Sequence, residues 1–173
     1  MSYIFPPGPV SAVPVKGSEL LYAVNRIYCV GQNYSDHVRE MGGDPKKNPP
    51  VFFSKPANAI VVDNSNVNYP PATKNLHYEV ELVVALSAGG IRISEQSALQ
   101  CVYGYAVGID FTCRDLQQAA KETGRPWDTA KGFDQSAPIS SIKPFPVNKE
   151  LGDSKITLSL NNEIRQEAKL TDM

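Results

Sequence analysis

Cysteine is scarce in this sequence. There are three, Cys29, Cys101 and Cys113, and none belongs to a Cys-x-x-Cys pair. An odd number at such spacings argues against a disulfide framework or a thiolate zinc site. It fits a reducing compartment, where a free Cys behaves as a small apolar filler. A basic surplus is lacking too. Seventeen Lys and Arg face 18 Asp and Glu, a net charge of −1, which argues against a dedicated nucleic-acid or anionic-membrane binder. No stretch approaches the ~20 apolar residues of a membrane-crossing helix. Met1 to Val15 has neither a basic segment nor a long apolar core, and the first Arg is Arg26. No secretory signal or Arg-rich mitochondrial presequence is read there. A cytoplasmic protein is expected, with no nucleic-acid or membrane partner.

Proline, by contrast, is plentiful, at 14 of 173 residues. Residues 5–16 are too Pro-rich for a helix or a central strand. Residues 1–24 therefore read as an extended arm, and 25–173 as one domain. Strands are expected over 24–30, 77–85, 102–109 and 156–160, the last followed by an Asn161-Asn162 hairpin turn and residues 163–165. Gly104 and Gly108 would let another backbone come close to their strand. Short helices are expected over 33–41, 94–100 and 112–123, the last capped by Thr112 and stopped by Gly124. Many short strands with few helices give an α+β class. Thr171-Asp172 resembles a helix cap, so a helix is expected to begin where the sequence stops.

Five ionisable groups stand out besides a lone motif lysine. Glu79 and Glu81 alternate with Tyr78, Val80 and Leu82. With a side-chain period of 2 they share a face, ~6.8 Å apart along the strand. They would face a site if the Tyr78 side packs on the core; otherwise they form the polar outside of a half-exposed strand. Asp110 ends the next strand and could complete an all-oxygen site for Mg²⁺ or Mn²⁺, or serve as a turn residue. His37 and Glu40 are three apart on a short helix, as in a carboxylate-oriented general base or a surface pair. Lys131, in Ala130-Lys131-Gly132-Phe133, could place a cation at an anionic intermediate, or lie in solvent.

The order of the motifs carries more than any one of them. Residues 27–37 (Ile-Tyr-Cys-Val-Gly-Gln-Asn-Tyr-Ser-Asp-His), 53–56 (Phe-Ser-Lys-Pro), 76–82 (Leu-His-Tyr-Glu-Val-Glu-Leu), 104–117 and 124–134 resemble the fumarylacetoacetate hydrolase family. Phe5-Pro6-Pro7, residues 69–73 and residues 102–105 look like the branch that hydrolyses fumarylpyruvate in gentisate degradation.

The resemblance implies a mixed sheet rolled into a barrel-like fold, a homodimer, and an Mg²⁺ or Mn²⁺ ion held by Glu79, Glu81 and Asp110. It implies His37 with Glu40 as the water-activating dyad and Lys131 as a lysine near the metal. The implied reaction is hydrolysis of a C–C bond in a 2,4-dioxo acid, fumarylpyruvate giving fumarate and pyruvate. Decarboxylation or tautomerisation of oxaloacetate-like acids is the neighbouring activity, and an inactive or partner-binding short form is a further alternative.

Two departures are noted. Gln32 stands where the family commonly has Arg, and an uncharged Gln cannot make the bidentate contact of Arg to a carboxylate. Family members continue past a Thr-Asp-Met-like segment through further strands and a Thr-Gly-Thr-Pro motif that closes the substrate site, none of which is in this sequence. The domain is therefore expected to be incomplete at its C-terminus and this chain alone to turn over little.

Overall fold

The computed structural model describes residues 2–31, 33, 50–145 and 151–173. Thirteen short strands lie among them: β1 (Ala12–Pro14), β2 (Leu21–Ala23), β3 (Ile27–Gly31), β4 (Val51–Lys55), β5 (Ile60–Val61), β6 (Leu76–His77), β7 (Val80–Leu86), β8 (Val102–Ile109), β9 (Thr112–Cys113), β10 (Ala137–Pro138), β11 (Lys143–Pro144), β12 (Lys155–Leu160) and β13 (Glu163–Lys169). The α-helices are α1 (Glu95–Ala98), α2 (Arg114–Glu122) and α3 (Asp128–Lys131). The α+β class holds. Among the described residues the strands form one three-stranded sheet, β11-β8-β7, and five pairs, and these sheets do not close into a barrel.

The antiparallel β7–β8 pair is the spine. It registers Val80 with Ile109, Glu81 with Gly108 and Val83 with Ala106. Gly104 and Gly108 do allow the close approach expected of them. A Cβ on Gly104 would run into the carbonyl oxygen of Lys143, and one on Gly108 would lie 2.8 Å from a methyl of Val83. Residues 138–144 can therefore lie directly on β8, with bridges at Gly108–Ile139 and along β11.

The core is not confined to the Tyr78 side of β7, although Val80 on that side is buried, 8% exposed. Ala85, Ala106, Val13 and Ile142 are buried together, with Val83 packed against them, and these β7 residues alternate with Leu82 and Val84, of which Val84 is 44% exposed. The carboxylate side of β7 thus joins this core at its Val83–Ala85 end. The strand carries its acidic residues at one end and its small apolar residues at the other, so one face serves both purposes. The Pro-rich arm contributes to that core. Its β1 and β2 pair as a hairpin that buries Val13 completely.

Two local expectations need correction. The strand read over 77–85 is broken: His77 belongs to β6, and β7 begins at Val80. Thr112 does not cap α2. It is paired with His77 in the β6–β9 ladder, and Cys113 occupies the cap position. The start of α2 is instead tied to the preceding loop. The Asp115 carboxylate accepts from the Thr73 hydroxyl and the Lys74 N–H, and the Arg114 N–H donates to the Asn75 carbonyl. The end of α2 is as read, with Gly124 at φ +64°. The Asn161-Asn162 turn also holds, with φ of 54° and 66°, the left-handed pair that a two-residue hairpin needs.

Candidate active site

The junction of β7, β8, α2 and α3 builds the site. The Asp110 N–H donates to the Glu79 carbonyl at 2.8 Å, so the ladder continues one pair past β7. That bond sets Glu79 beside Asp110. The α3 helix then delivers Lys131, 3% exposed, into the space between them. Its ammonium donates to Glu79 Oε2 at 2.7 Å, Asp110 Oδ2 at 2.7 Å and Thr112 Oγ1 at 2.6 Å. All three ammonium protons are used. Lys131 is therefore the buried hub of the site.

A second buried lysine, Lys55, closes the far side of Asp110. Its Nζ lies 2.9 Å from Asp110 Oδ1 and donates to the carbonyls of Phe111 and Lys131. The approach to Oδ1 is off the hydrogen-bonding direction, which leaves that buried oxygen without an aligned donor. On the open side, the Arg114 guanidinium pairs with Glu79 Oε1 and donates to Gln117 Oε1. Sequence reading missed Lys55, Thr112, Arg114 and Gln117 as parts of the site. Burial was the absent signal: Lys55 inside Phe-Ser-Lys-Pro looks like any strand-end lysine until its neighbours are known.

The electrostatics follow from this crowding. Burial alone would raise the Glu79 carboxyl, but the Lys131 charge and the hydrogen bonds from Lys131 and Arg114 outweigh it and hold the group at about 2. Glu81 is pushed the other way, to about 7, by burial first and then by repulsion from Asp110 and Glu79. Burial also lowers Lys55, opposed by Asp110, and pushes the Cys29 thiol up to about 12.

These groups open into a cavity of about 530 Å³. Glu79, Glu81, Asp110, Lys131 and Arg114 line its floor, and Phe53 and Trp127 form an aromatic wall. The β12–β13 hairpin closes another side, anchored where Val80 N–H donates to Gln166 Oε1 at 2.9 Å. The structure thus brings together Glu79, Glu81, Asp110 and Lys131. His37, Glu40 and Gln32 lie outside the described residues.

The donor set suits a hard divalent cation in kind. It offers three carboxylates, one with an unaligned buried oxygen and one whose ionised form lacks enough positive charge nearby. Among the described residues no three acidic, His or Cys side chains surround a single point, and the Lys131 ammonium bonds to both Glu79 and Asp110.

Comparison with known proteins places the chain. Residues 26–173 match the model of the fumarylacetoacetate hydrolase C-terminal domain. The structure superposes with a TM-score of 0.90 on fumarylpyruvate hydrolase from Pseudomonas aeruginosa in complex with Mn²⁺ and pyruvate, at 42% identity, covering 99% of this chain and 76% of that one. The mouse mitochondrial oxaloacetate tautomerase FAHD1 is 42% identical over 147 residues, 85% of this chain and 66% of the relative. The oxaloacetate tautomerase YcgM of Escherichia coli is 36% identical over 161 residues, 91% of this chain and 72% of that protein. The chain thus spans just under two thirds of the length of its mammalian relative. With its fold, its motifs and a match over nearly the whole of its length, the chain belongs to the fumarylacetoacetate hydrolase family.

Proposed function

We propose that the protein hydrolyses a C–C bond of a 2,4-dioxo acid, with fumarylpyruvate as substrate and fumarate and pyruvate as products. The observation that carries this reading is the likeness, over 99% of the chain, to a fumarylpyruvate hydrolase holding Mn²⁺ and pyruvate. Glu79, Glu81 and Asp110 would hold the divalent ion, Mg²⁺ or Mn²⁺. When bound, that ion supplies a Lewis acid that polarises the 2-oxo group.

The rest of the chemistry is assigned to side chains. His37, oriented by Glu40, takes a proton from water, and the resulting hydroxide attacks the 4-oxo carbon. The C3–C4 bond breaks, and its electron pair stays on the pyruvate fragment as an enolate. A proton returned to C3 completes pyruvate, and the acyl fragment leaves as a carboxylic acid. Lys131 and Arg114 place two positive charges at the cavity floor, where they favour the enolate. Lys131 can reach a substrate oxygen only by giving up one of its three present acceptors.

A second reading rests on a separate observation, that the FAHD1 and YcgM relatives are oxaloacetate tautomerases. There a proton would leave C3 and return to oxygen, with no water consumed. Homodimer formation belongs to the same proposal, on the family resemblance, and a cytoplasmic location is proposed on the scattered free cysteines. Among the described residues no helix is long and apolar enough to cross a membrane.

The test assays the natural full-length protein with Mn²⁺ on two substrates in parallel. Hydrolysis predicts loss of the dioxo-acid absorbance of fumarylpyruvate at ~1–10³ s⁻¹. Accelerated enol–keto conversion of oxaloacetate without cleavage of fumarylpyruvate would replace this reading with the second one.

A further inference from the structure

The cavity has a second cationic end that the proposed chemistry does not use. The cavity-facing stripe of α2 carries Arg114, Gln117 and Lys121, three and four residues apart, all of which line the cavity. Lys121 stands over Trp127, its Nζ 5.1 Å from the ring centroid. Trp127 lies 6.0 Å from Phe53, centroid to centroid. Phe53 in turn lies 4.8 Å from Lys131 Nζ. The cavity wall is therefore a pair of aromatic rings with an ammonium group at each end.

The two ammonium groups differ in their partners. Lys131 is saturated by Glu79, Asp110 and Thr112. Among the described residues Lys121 has no carboxylate within ion-pair distance. Its charge is disfavoured by partial burial first and then by Arg114, with Lys131 adding to the same effect and Glu79 opposing it. A half-buried cation among other cations is relieved by an anion. The two rings between the ends, inclined at 54° to each other, offer apolar surface to the carbon chain that joins two carboxylates.

We propose that Lys121 binds the distal carboxylate of a dicarboxylic dioxo acid, so that the enzyme selects substrates with a negative charge at both ends. This rests on the hydrolase reading for the identity of the substrate. Arg165, the other cation on the cavity rim, is already paired with Glu163 at 2.6 Å and is exposed, so it is not the group assigned here.

The test compares fumarylpyruvate with acetylpyruvate, which lacks the second carboxylate. The ratio of their kcat/KM values should fall about tenfold or more in Lys121→Met, the loss of one charged hydrogen bond, and largely survive in Lys121→Arg. An unchanged ratio in Lys121→Met, or a fall in Arg165→Gln instead, overturns the proposal.

A binding arm needs no turnover. Trp127 is the only tryptophan in the chain, so fumarate should alter its fluorescence, and crotonate, with one carboxylate fewer, much less. Lys121→Met should weaken fumarate binding about tenfold. If the protein cleaves neither dioxo acid but binds fumarate through Lys121, the hydrolase reading fails and the anion site stands. If fumarate binds equally well without Lys121, the site fails whatever the reaction.

Discussion

Lys131 is the most consequential single residue, because it meets two carboxylates and a hydroxyl at full hydrogen-bonding capacity in a buried place. Replacing it with Met leaves Glu79 to Arg114 and Asp110 to Lys55, two adjacent carboxylates that have lost the cation between them. Breaking a buried ion pair from one side costs about 3–5 kcal/mol. Glu79 also keeps Arg114, so the lower end, about 3 kcal/mol, is expected for Lys131→Met in urea unfolding at neutral pH. A loss below about 0.5 kcal/mol would mean that the hub is not formed.

Glu81 gives a pH signature of opposite sign to that of Glu79. Its carboxyl is raised to about 7 from an ordinary 4.5. Between those values the folded state binds the proton that the unfolded state has lost, so stability falls as pH rises through that window. Glu79, depressed to about 2, contributes stability above pH 4.5 that is lost only as pH falls toward 2. The metal-free protein should therefore become more stable between pH 8 and pH 5, and Glu81→Gln should flatten that gain. Chemical denaturation across this range checks it, and an identical profile in Glu81→Gln would remove Glu81 as the cause.

At the scale of elements, the site depends on two close approaches. Gly104 lets residues 142–144 lie against β8 with no room for a Cβ. Gly104→Ala should cost about 1–3 kcal/mol, as overpacking does, and a thermal melt matching the parent would show that the strands can part cheaply. The second approach is the β12–β13 hairpin. Asn161 and Asn162 hold its left-handed turn, and the hairpin brings Gln166 to the edge of β7. Asn162→Val should destabilise by about 1–2 kcal/mol, because a β-branched residue resists positive φ. Asn162→Gly should be neutral or better.

These turns were legible in the sequence, because Asn-Asn and Gly have few other conformational uses. So were β8 and the acidic set Glu79, Glu81 and Asp110. The burial of β7 on one side at Val80 and on the other at Ala85 was not. Alternation fixes which residues share a face but not which face is buried, and here the two ends of one face have opposite polarity. Thr112 was misread for a related reason. A Thr ahead of a helix is a good cap on local grounds, but the long-range β6–β9 pairing and the Lys131 ammonium claim it. The roles of Lys55, Arg114 and Lys121 arise only when distant elements meet, and no local pattern carries that information.

The chain is nearly neutral, yet its cavity is sharply polarised, with carboxylates and buried ammoniums at the floor and, at the aromatic rim, a lysine with no carboxylate partner among the described residues. That arrangement is suited to holding a small anionic acid. Hydrolysis and tautomerisation both pass through charge on C3, so site chemistry alone favours neither, and the fate of the water oxygen decides between them. The most direct measurement is therefore turnover of fumarylpyruvate by the full-length protein with Mn²⁺ in ¹⁸O-labelled water, followed by mass spectrometry of the products. The account predicts equal amounts of pyruvate and fumarate, with one solvent oxygen in the fumarate carboxylate that was the 4-oxo carbon. Intact dioxo acid recovered beside rapidly equilibrated oxaloacetate tautomers would contradict it.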